Sequence, residues 1–366
     1  MIKKMGFEGL CRTTAMGIMP HGDAEKALGL SLGLDIPFWP QLPNVSYFED
    51  MYAQASEHFP GVVVDVENKR IYFDRARFDE DILDYSTKMG EESTFSLSER
   101  HSVVYHRFLS EDLSRYPAIR GQVIGPVSYG FKIMDGDNRP IIYDDEVRAL
   151  LFDFIQRKVD AQYHELKEKN ANAFVWLDEP GLGWVFSGLS GYGDLLAKKE
   201  YGDFLGGLDG PGALHLCANV NLPYLLSLGV ALLSFDAYQI ELMPKAYAQA
   251  VADYVTAGGI ISWGIVPTDS SALAGESPES LSERLAMYWN VVASNSMVSA
   301  SRIAQQALIA PARCCLRNVE LVSTSKAASI PSNACPAAPE EELVEKAFEY
   351  VKKVSRILQR KFDLTG

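Results

Sequence analysis

Five side chains of this 366-residue chain have the types and spacing to do chemistry together: His215, Cys217, Asp236, Asp178 and Cys314. His215 and Cys217 are two apart, so on a strand they share a face. Imidazole nitrogen and thiolate sulfur are donors that zinc prefers. An isolated His-x-Cys is more often a buried core pair than a metal site, because an unligated Cys packs as a small hydrophobe. The expectation of a metal site therefore rests on company. Asp236 is the expected oxygen ligand, with Glu241 five residues further along as the alternative; Asp236 could also cap a helix or steady His215 from behind. Cys314 and Cys315 are adjacent and cannot both face one site from a regular strand. Asp178 closes a very apolar run, Ala-Phe-Val-Trp-Leu, where an unpaired carboxylate is costly. Its partner is expected to be a substrate ammonium or a structural Arg or Lys. His21 follows Met19-Pro20 and could face the same region. Cys11 and Cys335 receive no role.

The elements that must position these groups are short apolar runs separated by helical patterns. Residues 12–18, 35–42, 119–125, 173–178, 212–217, 231–236, 259–265 and 307–312 read as strands, with Pro37 and Pro40 weakening the second. Residues 144–168 and 341–360 carry apolar side chains every three to four positions, as amphipathic helices do. Strands apolar on both faces and alternating with helices predict a parallel sheet, and eight such units predict a closed (β/α)₈ TIM barrel forming one domain over residues 1–366. Asp178, His215, Cys217 and Asp236 then end three consecutive strands and Cys314 follows the last. That is the face on which barrel active sites are built. Residues 61–74 read as a hairpin with its turn near Asn68. With the polar, helix-rich stretch 75–118 it makes one insertion, about 61–118, between the second and third barrel strands. Residues 322–340, rich in Ser, Ala and Pro, read as a mobile loop.

Composition narrows the classes. Hydrophobic residues make up 47% and charged residues 22%, which supports a large core. A net charge of −14 repels polyanions and argues against nucleic acid as a partner. No run has the length of a membrane span, and the opening MIKKMGFEGLCRTTAMG has no leader-like apolar stretch. Five scattered cysteines make no disulfide framework, so a reducing cytoplasm is the expected setting.

The order of motifs resembles the C-terminal catalytic barrel of cobalamin-independent methionine synthase, within the superfamily that includes uroporphyrinogen decarboxylase. Among its members the nearest likeness is to short single-barrel, methionine-synthase-like proteins that share Asp-Ile-Pro-Phe-Trp-Pro-Gln-Leu-Pro, here residues 35–43. Thr13-Thr14-Ala15-Met16-Gly17-Ile18-Met19-Pro20 is similar to the family's T-T-x-I-G-S-x-P, Gly125-Pro126-Val127 to its G-P-V-T, and Leu177-Asp178-Glu179-Pro180 to its I-D-E-P. His215-Leu216-Cys217 is similar to its zinc-binding H-x-C. Leu232-Leu233-Ser234-Phe235-Asp236 lies where the family has V-I-T-I-E, and Arg313-Cys314-Cys315-Leu316-Arg317 lies on its D-C-G-L-K.

The resemblance implies a Zn²⁺ cofactor held by His215, Cys217, Asp236 and Cys314, choosing Cys314 over Cys315. It implies a substrate contact at Asp178 and a methyl transfer to a thiol such as homocysteine, with His215, Cys217 and Cys314 as the catalytic group; Gly17 and His21 are the other expected substrate-binding residues. Two departures stand out. The chain is too short for the second barrel that helps bind folate, so a methylcorrinoid or a corrinoid protein becomes the expected methyl donor. The family's late His falls at Pro267-Thr268-Asp269-Ser270, where no His is present. That leaves two competing expectations. One is a metal- or corrinoid-binding accessory protein without turnover. The other is a metal-free lyase, which needs cationic residues at the barrel mouth, whereas Arg12 and Arg120 lie at strand starts.

Overall fold

The computed structural model describes residues 3–185, 190–217, 221–314 and 340–364. Its strands are β1 (Arg12–Thr13), β2 (Val62–Asp65), β3 (Arg70–Phe73), β4 (Arg120–Ile124), β5 (Phe174–Asp178), β6 (Ala213–Leu216), β7 (Leu232–Asp236), β8 (Ile260–Val266) and β9 (Ala307–Pro311). Seven of them form one curled sheet in the order β1-β9-β8-β7-β6-β5-β4. Every neighbouring pair in that sheet is parallel. Helices follow the strands, giving an α/β fold of TIM-barrel-like form. β4, β6, β7, β8 and β9 are buried at every position, which is why they read as unbroken apolar runs rather than alternating ones.

The expected second strand, 35–42, is not continuous. It makes isolated bridges, Ile18 to Gln41 and Phe38 to Arg120. Pro37 and Pro40 have no N–H to give a ladder, so the available donors do the work. Ile36 N donates to Thr13 O at 3.0 Å, Gln41 N to Gly17 O at 2.8 Å, and Arg120 N to Pro37 O at 3.0 Å. The segment thus lies between β1 and β4, bonded to both sides. The expected first strand is likewise regular only over Arg12–Thr13.

β2 and β3 pair antiparallel as a separate two-stranded hairpin, and the Asn68 side chain closes the turn onto Asp65 at 2.8 Å. Helices Arg75–Lys88 and Val103–Ser110 follow. The long helix Asp145–Lys169 begins where Asp144 accepts from Glu146 N and Val147 N, a side-chain cap. It buries Val147, Leu151, Phe154, Ile155, Val159 and Leu166 at helical spacing. The last described helix, Glu340–Lys361, buries Val344, Ala347, Phe348, Val351, Val354 and Leu358 in the same way. The expected loop lies, over 322–339, outside the described residues, as do Cys315 and Cys335; Glu340 opens the last helix. No helix among the described residues is long and apolar enough to cross a membrane.

The core has two main layers. Phe174, Trp176, Ala213, Leu232, Ile260, Leu308 and Ala310 belong to one cluster inside the sheet. Val175, Leu177, Leu214, Leu216, Leu233, Phe235, Ile261 and Trp263, the alternate positions, belong to the larger cluster under the helices. Period-two alternation therefore assigns each strand residue to the inner or outer face.

Candidate functional site

Continuing the inner positions toward the C-terminal strand ends reaches the polar residues in order. Asp178 extends the Phe174–Trp176 row, His215 and Cys217 extend Ala213, and Ser234 and Asp236 extend Leu232. Register stacks them across the sheet: Asp178 is level with His215, His215 with Ser234, and Ser234 with Ser262. An apolar floor thus gives way to a polar layer at the strand ends, as expected from the alternation.

His215 is buried, with its ring edge-on to Trp176 at 5.5 Å. Its Nδ1 meets Ser234 Oγ at 3.1 Å, which leaves Nε2 as the ring nitrogen for a ligand. Burial, reinforced by the Arg120 guanidinium, holds its pKa down to about 3, so the imidazole is neutral, the form that binds metals. Burial pushes the Cys217 thiol up to about 12; nearby Cys314 and Asp178 add to the shift, while Arg313 opposes it. These four groups are therefore electrostatic neighbours. Burial also raises the Asp178 carboxyl to about 7, against the pull of Arg120.

Asp236 is 2% exposed and already engaged. Its Oδ2 accepts from Arg313 Nε at 2.6 Å and its Oδ1 from Gln239 N at 3.2 Å. The pair ties the residue before Cys314 to the end of β7. Glu241 lies in the exposed stretch after it. Among the described residues, only His21, Glu341 and Glu345 form a group of three or more His, Cys, Asp or Glu side chains with ligand atoms within 4.8 Å of one another. His215, Cys217, Asp236 and Cys314 thus share the strand-end region without closing to that distance. Their donor types suit zinc, and a bound ion needs them drawn inward.

The structure also explains neighbours that the motifs marked only as patterns. Glu179 is fully buried, and its carboxylate accepts from Val127 N at 3.1 Å, Ser128 N at 2.8 Å and Ser128 Oγ at 2.5 Å. Gly125 is required there: a Cβ on it would lie 2.1 Å from Glu179 Oε1. Gly125 N in turn donates to Asp178 O, and Glu179 N to His215 O, both at 2.9 Å. The Gly-Pro-Val and Asp-Glu-Pro motifs are two halves of one lock that fixes the strand ends carrying Asp178 and His215. Gly17 has a comparable packing reason, because a Cβ would meet the Gln122 side chain at 2.6 Å.

Two residues lie differently from their sequence reading. Arg120 starts β4, yet its buried guanidinium stacks 4.3 Å from Trp176 and 4.6 Å from Phe38. It donates to Thr14 Oγ1, Gln122 Oε1 and Ala15 O. Its positive charge acts on Asp178, lowering that carboxyl's pKa against the effect of burial. Arg12 donates outward, to Glu8 O at 2.9 Å. His21 is grouped with Glu341 and Glu345 of the last helix. The charges it feels come from Glu341, Lys26, Glu345 and Asp23, not from the strand-end residues. Cys11 is a core residue whose thiol donates to Ala304 O at 3.5 Å.

A cleft of about 460 Å³ opens beside Pro180 and Gly181, walled by Tyr52, Phe131, Tyr143 and Trp184 with Lys132 at its edge. Sequence reasoning missed it because its walls come from separate elements and share no spacing.

No protein-family model matches the chain, and no curated protein matches it in sequence. Among solved structures it is similar to a B12-independent methionine synthase from Shewanella sp. W3-18-1, in complex with selenomethionine. The identity is 11% and the TM-score 0.42, covering 67% of this chain and 63% of that one. It is also similar to a putative vitamin-B12 independent methionine synthase from Listeria monocytogenes, at 15% identity and TM-score 0.42, covering 68% of this chain and 69% of that one. The match spans less than two thirds of the Shewanella chain.

Proposed function

We propose that this protein is a zinc-dependent methyltransferase that moves a methyl group to a thiol. The observation that supports the reading is a neutral, Ser234-held imidazole on the strand that leads into Cys217, whose thiol is an electrostatic neighbour of Cys314. His215, Cys217 and Cys314 are the zinc ligands. Asp236 becomes an exchangeable oxygen ligand when Arg313, itself 58% exposed, swings out. Zinc, when bound, lowers the pKa of an incoming thiol so that a thiolate is present at neutral pH. The chain is one (β/α)₈-barrel domain in this reading, with residues 35–42 as the second stave and residues 61–118 as an insertion. A reducing compartment suits its thiolates.

The protein's own groups orient the reactants. Asp178 receives the ammonium of an aminothiol such as homocysteine and disfavours an anionic thiol such as coenzyme M. Arg120 keeps the carboxylate charged as the ammonium arrives. The aromatic cleft beside Pro180 holds the larger, non-reacting part of the methyl donor, for which a methylcorrinoid is the candidate.

Incubating the zinc-loaded protein with methylcobalamin and homocysteine tests this, with methionine and demethylated cobalamin as readouts. Conversion that disappears in Cys217→Ser supports the reading. Zinc binding without turnover on any thiol favours a metal- or corrinoid-binding accessory role. One observation points that way: the 267–270 stretch, which lacks the expected His, is built as a helix start, with Asp269 capping Ser271 N at 2.9 Å.

A further inference from the structure

A second cluster of metal-ligating groups stands apart from the thiols. His21 is 0% exposed, and neither of its ring nitrogens has a hydrogen-bond partner among the described residues. A buried polar group without a partner costs stability, so such a residue calls for an explanation. Its surroundings supply one. A ring nitrogen of His21 and one carboxylate oxygen each from Glu341 and Glu345 lie within 4.8 Å of one another. The two glutamates are four apart on one helix and so share a face. Glu341 is anchored by Gly22 N at 3.1 Å.

We propose that His21, Glu341 and Glu345 bind a divalent cation of the zinc type, which clips the start of the Glu340–Lys361 helix to the turn after the first stave. One imidazole and two carboxylates with water make an ordinary zinc donor set. Zinc–ligand bonds of about 2.0–2.2 Å need the three donors closer than they stand. The side chains of Glu341 and Glu345, 36% and 39% exposed, have room to move in.

Lys26 is the competitor. Its ammonium lies 3.1 Å from Glu341 and 2.7 Å from Glu345, and it is 44% exposed. An ammonium neutralises the carboxylates but leaves both His21 nitrogens unused, whereas a metal ion takes a nitrogen lone pair. Burial lowers the His21 pKa, which keeps that lone pair available. The ion displaces Lys26 into solvent.

The test uses the full chain carrying Cys217→Ser and Cys314→Ser, so its outcome is independent of the thiol site. Equilibrium dialysis with Zn²⁺ and thermal unfolding with and without Zn²⁺ are measured. The expected result is one ion per chain, a raised Tm, and affinity weaker by about 100-fold or more in Glu341→Gln/Glu345→Gln, beyond what loss of a supporting contact causes. Lys26→Met should tighten binding. The Glu-to-Gln changes keep side-chain size at two half-buried positions, and Lys26 is 44% exposed, so folding is retained. The proposal is overturned if the thiol-free protein takes up no Zn²⁺, or if the double Gln variant binds as tightly as its parent. It is equally overturned if Lys26→Met lowers the Tm without any gain in Zn²⁺ affinity, which would make Lys26 the resident cation.

Discussion

Gly125→Ala is a single-methyl change with a large expected effect. The new Cβ would stand 2.1 Å from Oε1, 2.2 Å from Cδ and 2.3 Å from Cγ of Glu179. Glu179 cannot swing aside without cost, because it is fully buried and held by Val127 N, Ser128 N and Ser128 Oγ. Overpacking costs about 1–3 kcal/mol, and losing one hydrogen bond to a charged group adds about 1.5–3 kcal/mol. The sum is about 2.5–6 kcal/mol, toward the upper end for a point mutation. Urea unfolding followed by tryptophan fluorescence measures it. A double-mutant cycle with Glu179→Ala isolates the contact, since removing the carboxylate makes room for the methyl. A coupling of about 1–3 kcal/mol is expected between the two sites. Because Gly125 N and Glu179 N bond the Asp178 and His215 carbonyls, Gly125→Ala should also weaken metal binding at the strand ends. A Gly125→Ala protein within about 0.5 kcal/mol of the parent, or strict additivity in the cycle, would refute the lock.

Three further outcomes are expected. Asp178 and Glu179 have pKa values raised by burial to about 7 from ordinary values of 3.8 and 4.5. Their contribution to stability is thus fully present below about pH 4 and is lost as pH rises through 7, so Asp178→Asn should gain stability relative to the parent at pH 8 but not at pH 4. Arg313→Met leaves the buried Asp236 Oδ2 without its cation. It should cost about 1–3 kcal/mol, more at pH 8 than at pH 5, because burial already pushes that carboxyl up and protonation relieves it; paired denaturation curves decide. Ser234→Ala removes the Nδ1 contact of His215 and should weaken zinc binding by about 10–100-fold in a chelator competition, with little change in the unfolding midpoint.

The alternation of apolar residues was a sound guide where strands are regular. His215, Asp178 and Asp236 fall on the inner face because Ala213, Trp176 and Leu232 do. It failed at 35–42, where two prolines replace a ladder with scattered bridges. It also misread Arg120, because placing a residue at a strand start fixes its Cα and not the reach of a long side chain. The guanidinium extends onto Trp176, and its charge acts on Asp178. Glu179 was overlooked beside Asp178: its role depends on Gly125 and Ser128, about fifty residues away in sequence and adjacent only after β4 and β5 pair. His21 was assigned to the mouth by its closeness to the first strand. Its partners, Glu341 and Glu345, come from the far end of the chain, and no local pattern in sequence could name them.

In the proposed site Cys217 and Cys314 ligate the metal with His215. Replacing zinc with Co²⁺ and recording the absorption spectrum tests it most directly, since only thiolate ligands give an intense sulfur-to-cobalt charge-transfer band. The band is expected in the parent protein, weakened in Cys314→Ser and absent when Cys217→Ser is added, while the site at His21 contributes none. A Co²⁺-saturated parent without the band, or one whose band survives both substitutions, would contradict it.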